Sequence, residues 1–103
     1  MSTPPSTKLG APSLVVSARV VSRVIQGRAL VLDPSRDEIQ QLNEVGSHLW
    51  ALLIEGGQTE ESLARSLVER FEVELDEALS DVREFVHELL ARGFLSEVPL
   101  DLK

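Results

Sequence analysis

The sequence contains no cysteine and no tyrosine, and its aromatic side chains are three phenylalanines and one tryptophan. The lack of cysteine excludes disulfides, zinc–thiolate sites and thiol catalysis, and makes a reducing cytoplasm the expected location. So few aromatic rings leave no stacking platform for single-stranded nucleic acid. No run of 18 apolar residues occurs, so no membrane span is expected. The N-terminus also lacks the basic-then-apolar pattern of a signal peptide.

Motifs that carry catalysis or hold metal ions are missing as well. His48 and His87 are the only histidines, and the Glu44–His48 pair, four residues apart, supplies too few ligands to close a zinc site. No serine lies in a G-x-S-x-G frame, and the six glycines are too scattered for a phosphate loop. The sequence therefore predicts no enzyme, no catalytic residue, no metal and no cofactor.

Charge is unevenly distributed along the chain, whose net charge is −7. Residues 1–36 hold five basic side chains and one acid, whereas residues 37–103 hold five basic and sixteen acidic ones. An acidic surface repels phosphate backbones, so nucleic-acid binding is not expected. The acidity fits a solvated helical surface, and the basic first third leaves open a contact with an acidic partner.

Composition and patterning predict one small domain that begins with strands. Residues 1–13, rich in Pro, Ser and Thr, are expected to be a disordered tail. The domain is predicted over 14–96, with a C-terminal tail over 97–103. "ARVVSRVI" (18–25) and "RALVL" (28–32) suit strands, joined by a tight turn at Gln26 and Gly27. "DPSRD" (33–37) reads as a second turn, and "EIQQL" (38–42) as a short third strand.

Three helices follow the strands. Asn43 is a good N-cap for the first and Thr59 for the second. The third is predicted over residues 74–92 and is stopped by Gly93. The order predicts an α+β domain in which a three-stranded antiparallel meander is followed by, and packed on, three helices. The third strand then keeps a free edge.

The third helix has a wider apolar face than one packing contact needs. Leu75, Leu79, Val82, Val86 and Leu90 form its centre, and Phe85 and Leu89 lie to one side. Phe85 is accordingly either part of the core or the lining of a groove. Trp50 on the first helix either packs inside the domain or faces a partner.

Read together, these segments resemble a known family. The stretches "VSRVIQGRALVLDP", "EIQQLNEVGSHLWALL", "GGQTEESLARSLVERFEV" and "DVREFVHELLARGFL" are similar, in order and spacing, to the PqqD-like family. Members are also called recognition elements of ribosomally synthesised, post-translationally modified peptides. The resemblance covers about residues 16–95. It is sharpest at Leu42-Asn43, at the Thr59 helix start and at the closing "LLARGFL".

The resemblance implies a winged helix-turn-helix outline and a function. Members bind the leader segment of a precursor peptide, which adds as a strand to the third strand and packs against the third helix, and they present the core segment to a modifying enzyme. That enzyme can be a radical S-adenosylmethionine protein, a cyclodehydratase or a lasso-pathway peptidase. The residues implied are Glu38, Ile39, Gln40, Gln41 and Leu42 on the strand, and Val82, Phe85 and Leu89 on the helix.

Two other functions fit the same outline. An adaptor could bind another protein through the same groove without any peptide-modifying pathway. A winged-helix DNA-binding regulator would need a basic recognition helix. Residues 74–92 carry six acids and two arginines, which argues against that regulator.

Overall fold

The computed structural model, which describes residues 12–99, contains five strands and three helices. In chain order these are β1 (Pro12–Val16), β2 (Val21–Ile25), β3 (Arg28–Asp33), β4 (Glu38–Gln41), α1 (Glu44–Glu55), α2 (Glu60–Arg70), α3 (Leu75–Ala91) and β5 (Leu95–Pro99). Strands β2, β3 and β4 form an antiparallel sheet in that order, and three helices follow. The predicted α+β class is therefore confirmed. No helix within residues 12–99 is long and apolar enough to cross a membrane.

The two turns of the meander follow from their sequences. Gln26 and Gly27 both have positive φ, 54° and 80°, as a two-residue type I′ hairpin requires. In the second turn the buried Asp33 carboxylate accepts hydrogen bonds from Ser35 N at 3.1 Å and Ser35 Oγ at 2.8 Å. The hydrogen bond from the Ser35 side chain lowers the pKa of Asp33, against the opposing effect of burial.

The starts of α1 and α2 are set by side-chain caps, as predicted, whereas that of α3 has no side-chain cap. Asn43 Oδ1 accepts a hydrogen bond from Gly46 N at 2.7 Å. Thr59 and Ser62 form a reciprocal capping box at the start of α2. Gly93, with φ +82°, follows α3 and turns the chain back.

Strands β1 and β5 were not predicted. They pair antiparallel, from Pro12 opposite Pro99 to Val16 opposite Leu95. The outer side of β1 is tied to the loop before α2, because Leu14 N donates to the carbonyl of Gln58 at 2.8 Å. The pair extends into both predicted tails. Residues 1–11 and 100–103 of those tails lie outside the described residues, and the limits 14 and 96 stay a prediction.

The core lies between the inner face of the meander, the helices and the β1–β5 pair. Trp50 is 1% exposed, so it packs inside the domain. Phe94 and Leu95 fold back onto this core. On α3 the buried residues are Ala78, Val82, Val86 and Leu89. The predicted centre of the helix face was wrong at Leu75, which is 38% exposed, because a helix wheel cannot show on which side the neighbouring elements lie.

Candidate peptide-binding site

The outer edge of β4 has no strand partner within residues 12–99. Leu42 N donates to the carbonyl of Ala29 at 2.9 Å, next to the β3–β4 ladder. Hydrogen-bonding directions alternate along an antiparallel strand, so the amide of Gln40 also points toward β3. The amides of Ile39 and Gln41 consequently point away from the sheet. They offer main-chain donors and acceptors to an added strand.

The side chains of β4 alternate between two faces. Glu38 and Gln40 are half-buried and Leu42 is 5% exposed, so these three lie on the face toward the helices. Ile39, which is 71% exposed, and Gln41 lie on the opposite, outer face. The five predicted strand residues are therefore one continuous segment whose side chains are split between the two faces.

Of the three predicted residues on α3, only Phe85 reaches the surface. Its ring is half-buried, whereas Val82 and Leu89 belong to the buried core. Contact between a peptide and either of these two would require the core to open. The structure thus separates the predicted wall into one accessible ring and two supporting side chains.

Phe85 lies beside the start of α1. A Cβ atom added to Gly46 would be 3.2 Å from Phe85 Cε1 and 3.4 Å from Leu42 Cβ, so the helix, the ring and the end of β4 meet here. The meeting point borders a cleft of about 360 Å³, which we call the Phe85 cleft. It is lined by Asn43, Val45, Gly46, Leu49, Asp81, Glu84, Phe85 and Glu88.

The other end of α3 is held near the start of β4. A guanidinium nitrogen of Arg92 lies 3.5 Å from Glu38 Oε2, and the Arg36 side chain donates to the carbonyl of Arg92. Since Phe85 lies near Leu42 and Arg92 near Glu38, α3 runs antiparallel to β4. We call the space along the free edge of β4 and this side of α3 the β4–α3 groove.

A buried serine fixes the Leu42 end of the groove. Ser47 Oγ accepts a hydrogen bond from Ala29 N at 2.8 Å and donates to the carbonyl of Leu42 at 3.3 Å. One side chain of α1 therefore holds β3 and the chain that leaves β4. It replaces the ladder hydrogen bond that Ala29 would otherwise donate to Leu42.

Gly46, Arg92 and the cap residue Asn43 also belong to this site, although they were not predicted as parts of it. The sequence did contain an indication that Gly46 has a close neighbour. Glycine in the first turn of a helix is costly unless a neighbour needs the space, and here the neighbour is Phe85. No local signal pointed to Arg92, because its contact with Glu38 spans more than fifty positions of the chain.

His48 on α1 lies outside the groove and packs against the end of α2. His48 Nε2 lies 3.2 Å from Ser66 Oγ, and its ring meets Phe71 edge-on with 5.6 Å between centroids. Burial, and secondarily the charge of Arg70, lowers the pKa of His48. Within residues 12–99 no three His, Asp or Glu side chains are placed to hold a metal ion.

Two solved structures have the same fold. One, described as TbiB1 in complex with the TbiA(beta) leader peptide, is 27% identical with a TM-score of 0.75, over 80% of this chain and 94% of that one. The other, lasso peptide synthetase B1 complexed with the leader peptide, is 22% identical with a TM-score of 0.72, over 81% and 96%. No curated protein matches the chain.

The sequence also matches a protein family. The match is to the family described as coenzyme PQQ synthesis protein D, PqqD, and it covers residues 28–95. That span runs from β3 to the start of β5 and includes the whole of the β4–α3 groove. It exceeds half of the chain, so this chain belongs to the PqqD family.

Proposed function

We propose that this chain is a non-catalytic module that binds the leader segment of a ribosomally made precursor peptide and presents the peptide to a modifying enzyme. The observation that carries the proposal is the free edge of β4 beside the exposed side of Phe85. An unpaired edge next to an apolar wall is the arrangement used for strand addition, in which main-chain hydrogen bonds give affinity and side-chain pockets give selectivity.

The two similar structures support this proposal, since each is described as a complex with a leader peptide. In our proposal the leader pairs with the outward amides of Ile39 and Gln41. Its inward side chains meet Phe85 and the Phe85 cleft. Glu38, Gln40 and Leu42 complete the strand, and Val82 and Leu89 support the wall from behind.

The modifying enzyme is the second partner that we propose. A radical S-adenosylmethionine protein, a cyclodehydratase and a lasso-pathway peptidase all act on leader-bearing precursors and fit this role equally. Such precursors are made on ribosomes, so the proposed place of action is the cytoplasm.

Strand addition is tested by removing one outward amide. Ile39→Pro deletes a donor on the free edge of β4 while leaving the β3–β4 ladder intact. The probes are peptides selected against the wild-type chain from a displayed random library, and affinities are measured by titration calorimetry. We expect Ile39→Pro to weaken binding at least about tenfold, since several main-chain bonds at that edge depend on one register.

Val24→Pro is the matched control on the opposite edge of the same sheet. Val24 pairs with Ala29, whose carbonyl faces β4, so the Val24 amide points away from β3. This variant should bind the selected peptides normally. Strand addition at β4 is wrong if a folded Ile39→Pro variant keeps full affinity, or if both variants lose affinity equally.

A further inference from the structure

We infer that the Phe85 cleft selects leaders that carry a lysine or arginine at the position that meets Leu42. This inference rests on the proposed function and adds the chemical class of the anchoring residue. It follows from the position of the cleft, the apolar character of its floor and the charge of its rim.

The position of the cleft determines which leader residue can reach it. A strand added to β4 lies about 4.7–4.9 Å from it, and its side chains alternate between the two faces of the sheet. Residues beside Gln40 and Leu42 share their face and point toward α3. The one beside Leu42 points at the junction of Gly46 and Phe85, which is the mouth of the cleft.

The floor of the cleft suits an aliphatic stem. Val45 and Phe85 are half-buried, Leu49 is buried, and Gly46 adds no side chain. Lysine and arginine bury their methylene groups along apolar surface while the charged end stays at the rim. The face of Phe85 additionally attracts a cation.

The rim on the α3 side is uniformly acidic. Asp81, Glu84 and Glu88 line it, and no basic residue between positions 12 and 99 does. Glu88 forms an ion pair with Arg92, with 3.3 Å between Glu88 Oε2 and a guanidinium nitrogen. No ion pair among the described residues involves Asp81 or Glu84. The exposed carboxylates of Asp81 and Glu84 therefore give the rim a negative charge that no ion pair among the described residues neutralises.

The nearest arginine on the same helix is turned the other way. Arg83 lines two clefts on the other side of α3, one of which Glu84 also borders, and its Nε lies 3.6 Å from Glu60 Oε1. Arg83 is thus directed toward α2 and does not neutralise the Phe85 cleft. A neutral apolar or aromatic leader residue would fill the floor but leave both carboxylates without a partner.

The test uses a displayed library of random peptides, selected in parallel against the wild-type chain and Asp81→Lys/Glu84→Lys. From the wild-type pool we keep the peptides that lose binding to Ile39→Pro. We expect these to share a lysine or arginine at one aligned position, whose replacement by alanine weakens binding about tenfold. Selection against the double variant should place aspartate or glutamate at that position.

Glu55→Lys/Glu69→Lys is the matched control. It makes the same change of net charge at two exposed residues near the ends of α1 and α2, away from the cleft. It should select the same basic peptides as the wild-type chain. Circular dichroism and thermal unfolding establish that both double variants fold.

The outcomes separate the two proposals. The inference is overturned if the Ile39-dependent peptides share no basic position, or if they bind Asp81→Lys/Glu84→Lys as well as they bind the wild-type chain. In either case strand addition at β4 still stands. If no selected peptide depends on Ile39, the proposed site fails and the inference fails with it.

Discussion

Gly46 on α1 and Phe85 on α3 approach each other so closely that a methyl group on the glycine would be 3.2 Å from the ring. A separation in that range forces a neighbour to move. The atoms in the way are the ring itself and the Asn43 side-chain oxygen, also 3.2 Å from the added methyl. The relationship couples the start of α1 to the accessible wall of the β4–α3 groove.

Gly46→Ala should weaken peptide binding more than it changes stability. Alanine raises helix propensity by about 1 kcal/mol, and this gain offsets part of the cost of the close contact. We expect the Phe85 ring to shift toward the cleft, with a several-fold loss of affinity for selected peptides, measured by calorimetry. Ala51→Gly, at an exposed position of the same helix, should lower stability by about 1 kcal/mol and leave binding unchanged. Equal affinities for Gly46→Ala and wild type would show that Phe85 does not line the binding surface.

Phe85→Ala distinguishes a groove role from a core role. A fully buried phenylalanine costs about 3–5 kcal/mol when truncated, and Phe85 is only half-buried. We therefore expect a smaller loss in urea denaturation together with a large loss of peptide affinity. Leu67→Ala, at a buried position on α2, should show the reverse pattern, with a loss of about 2–5 kcal/mol and near-normal binding by the folded fraction. If Phe85→Ala costs as much stability as Leu67→Ala and binds peptide normally, Phe85 is a core residue.

Ser47→Ala should destabilise the domain by about 1–3 kcal/mol, because the buried Ala29 N–H would lose its acceptor. Thermal unfolding measures this loss. Ser80→Ala, at an exposed site on α3, is the control for helix propensity and should be neutral or slightly stabilising. A loss no greater than that of Ser80→Ala would mean that Ala29 N finds another partner.

His48 should make stability depend on pH just below neutrality. Burial lowers its pKa in the folded state, so the unfolded chain takes up the proton first as pH falls. The free energy of unfolding should be constant above the ordinary pKa of 6.5 and decrease as pH drops below it. Urea denaturation between about pH 7.5 and 5.5 measures the step. His48→Gln should abolish it, and His87→Gln should keep it. A step that survives His48→Gln belongs to another group.

Local chemistry was enough to predict the meander and the helices. Gln26-Gly27 specifies its turn, and Asn43 and Thr59 specify their helix starts, because each acts on the backbone within a few residues. The predicted edge segment, Glu38 to Leu42, lies on the free strand for the same reason. Which of its amides point outward depends on register, and the Leu42–Ala29 hydrogen bond determines this.

Contacts between distant parts of the chain could not be predicted. The pairing of β1 with β5 joins segments at the two ends of the domain, and neither has a turn that would indicate its partner. The burial of Leu89 and the exposure of Leu75 depend on where α2 and β5 pack. The wheel angles of α3 alone do not contain that information.

Because Pro12 and Pro99 are opposite each other in the β1–β5 pair, the polypeptide chain enters and leaves the described domain at neighbouring positions. Neighbouring antiparallel strands place such partners about 4.5–5.5 Å apart. This point belongs to a separate sheet from the one that carries the free edge of β4. The fold could therefore be inserted into a surface loop of a host enzyme through two short linkers, with its binding edge left open.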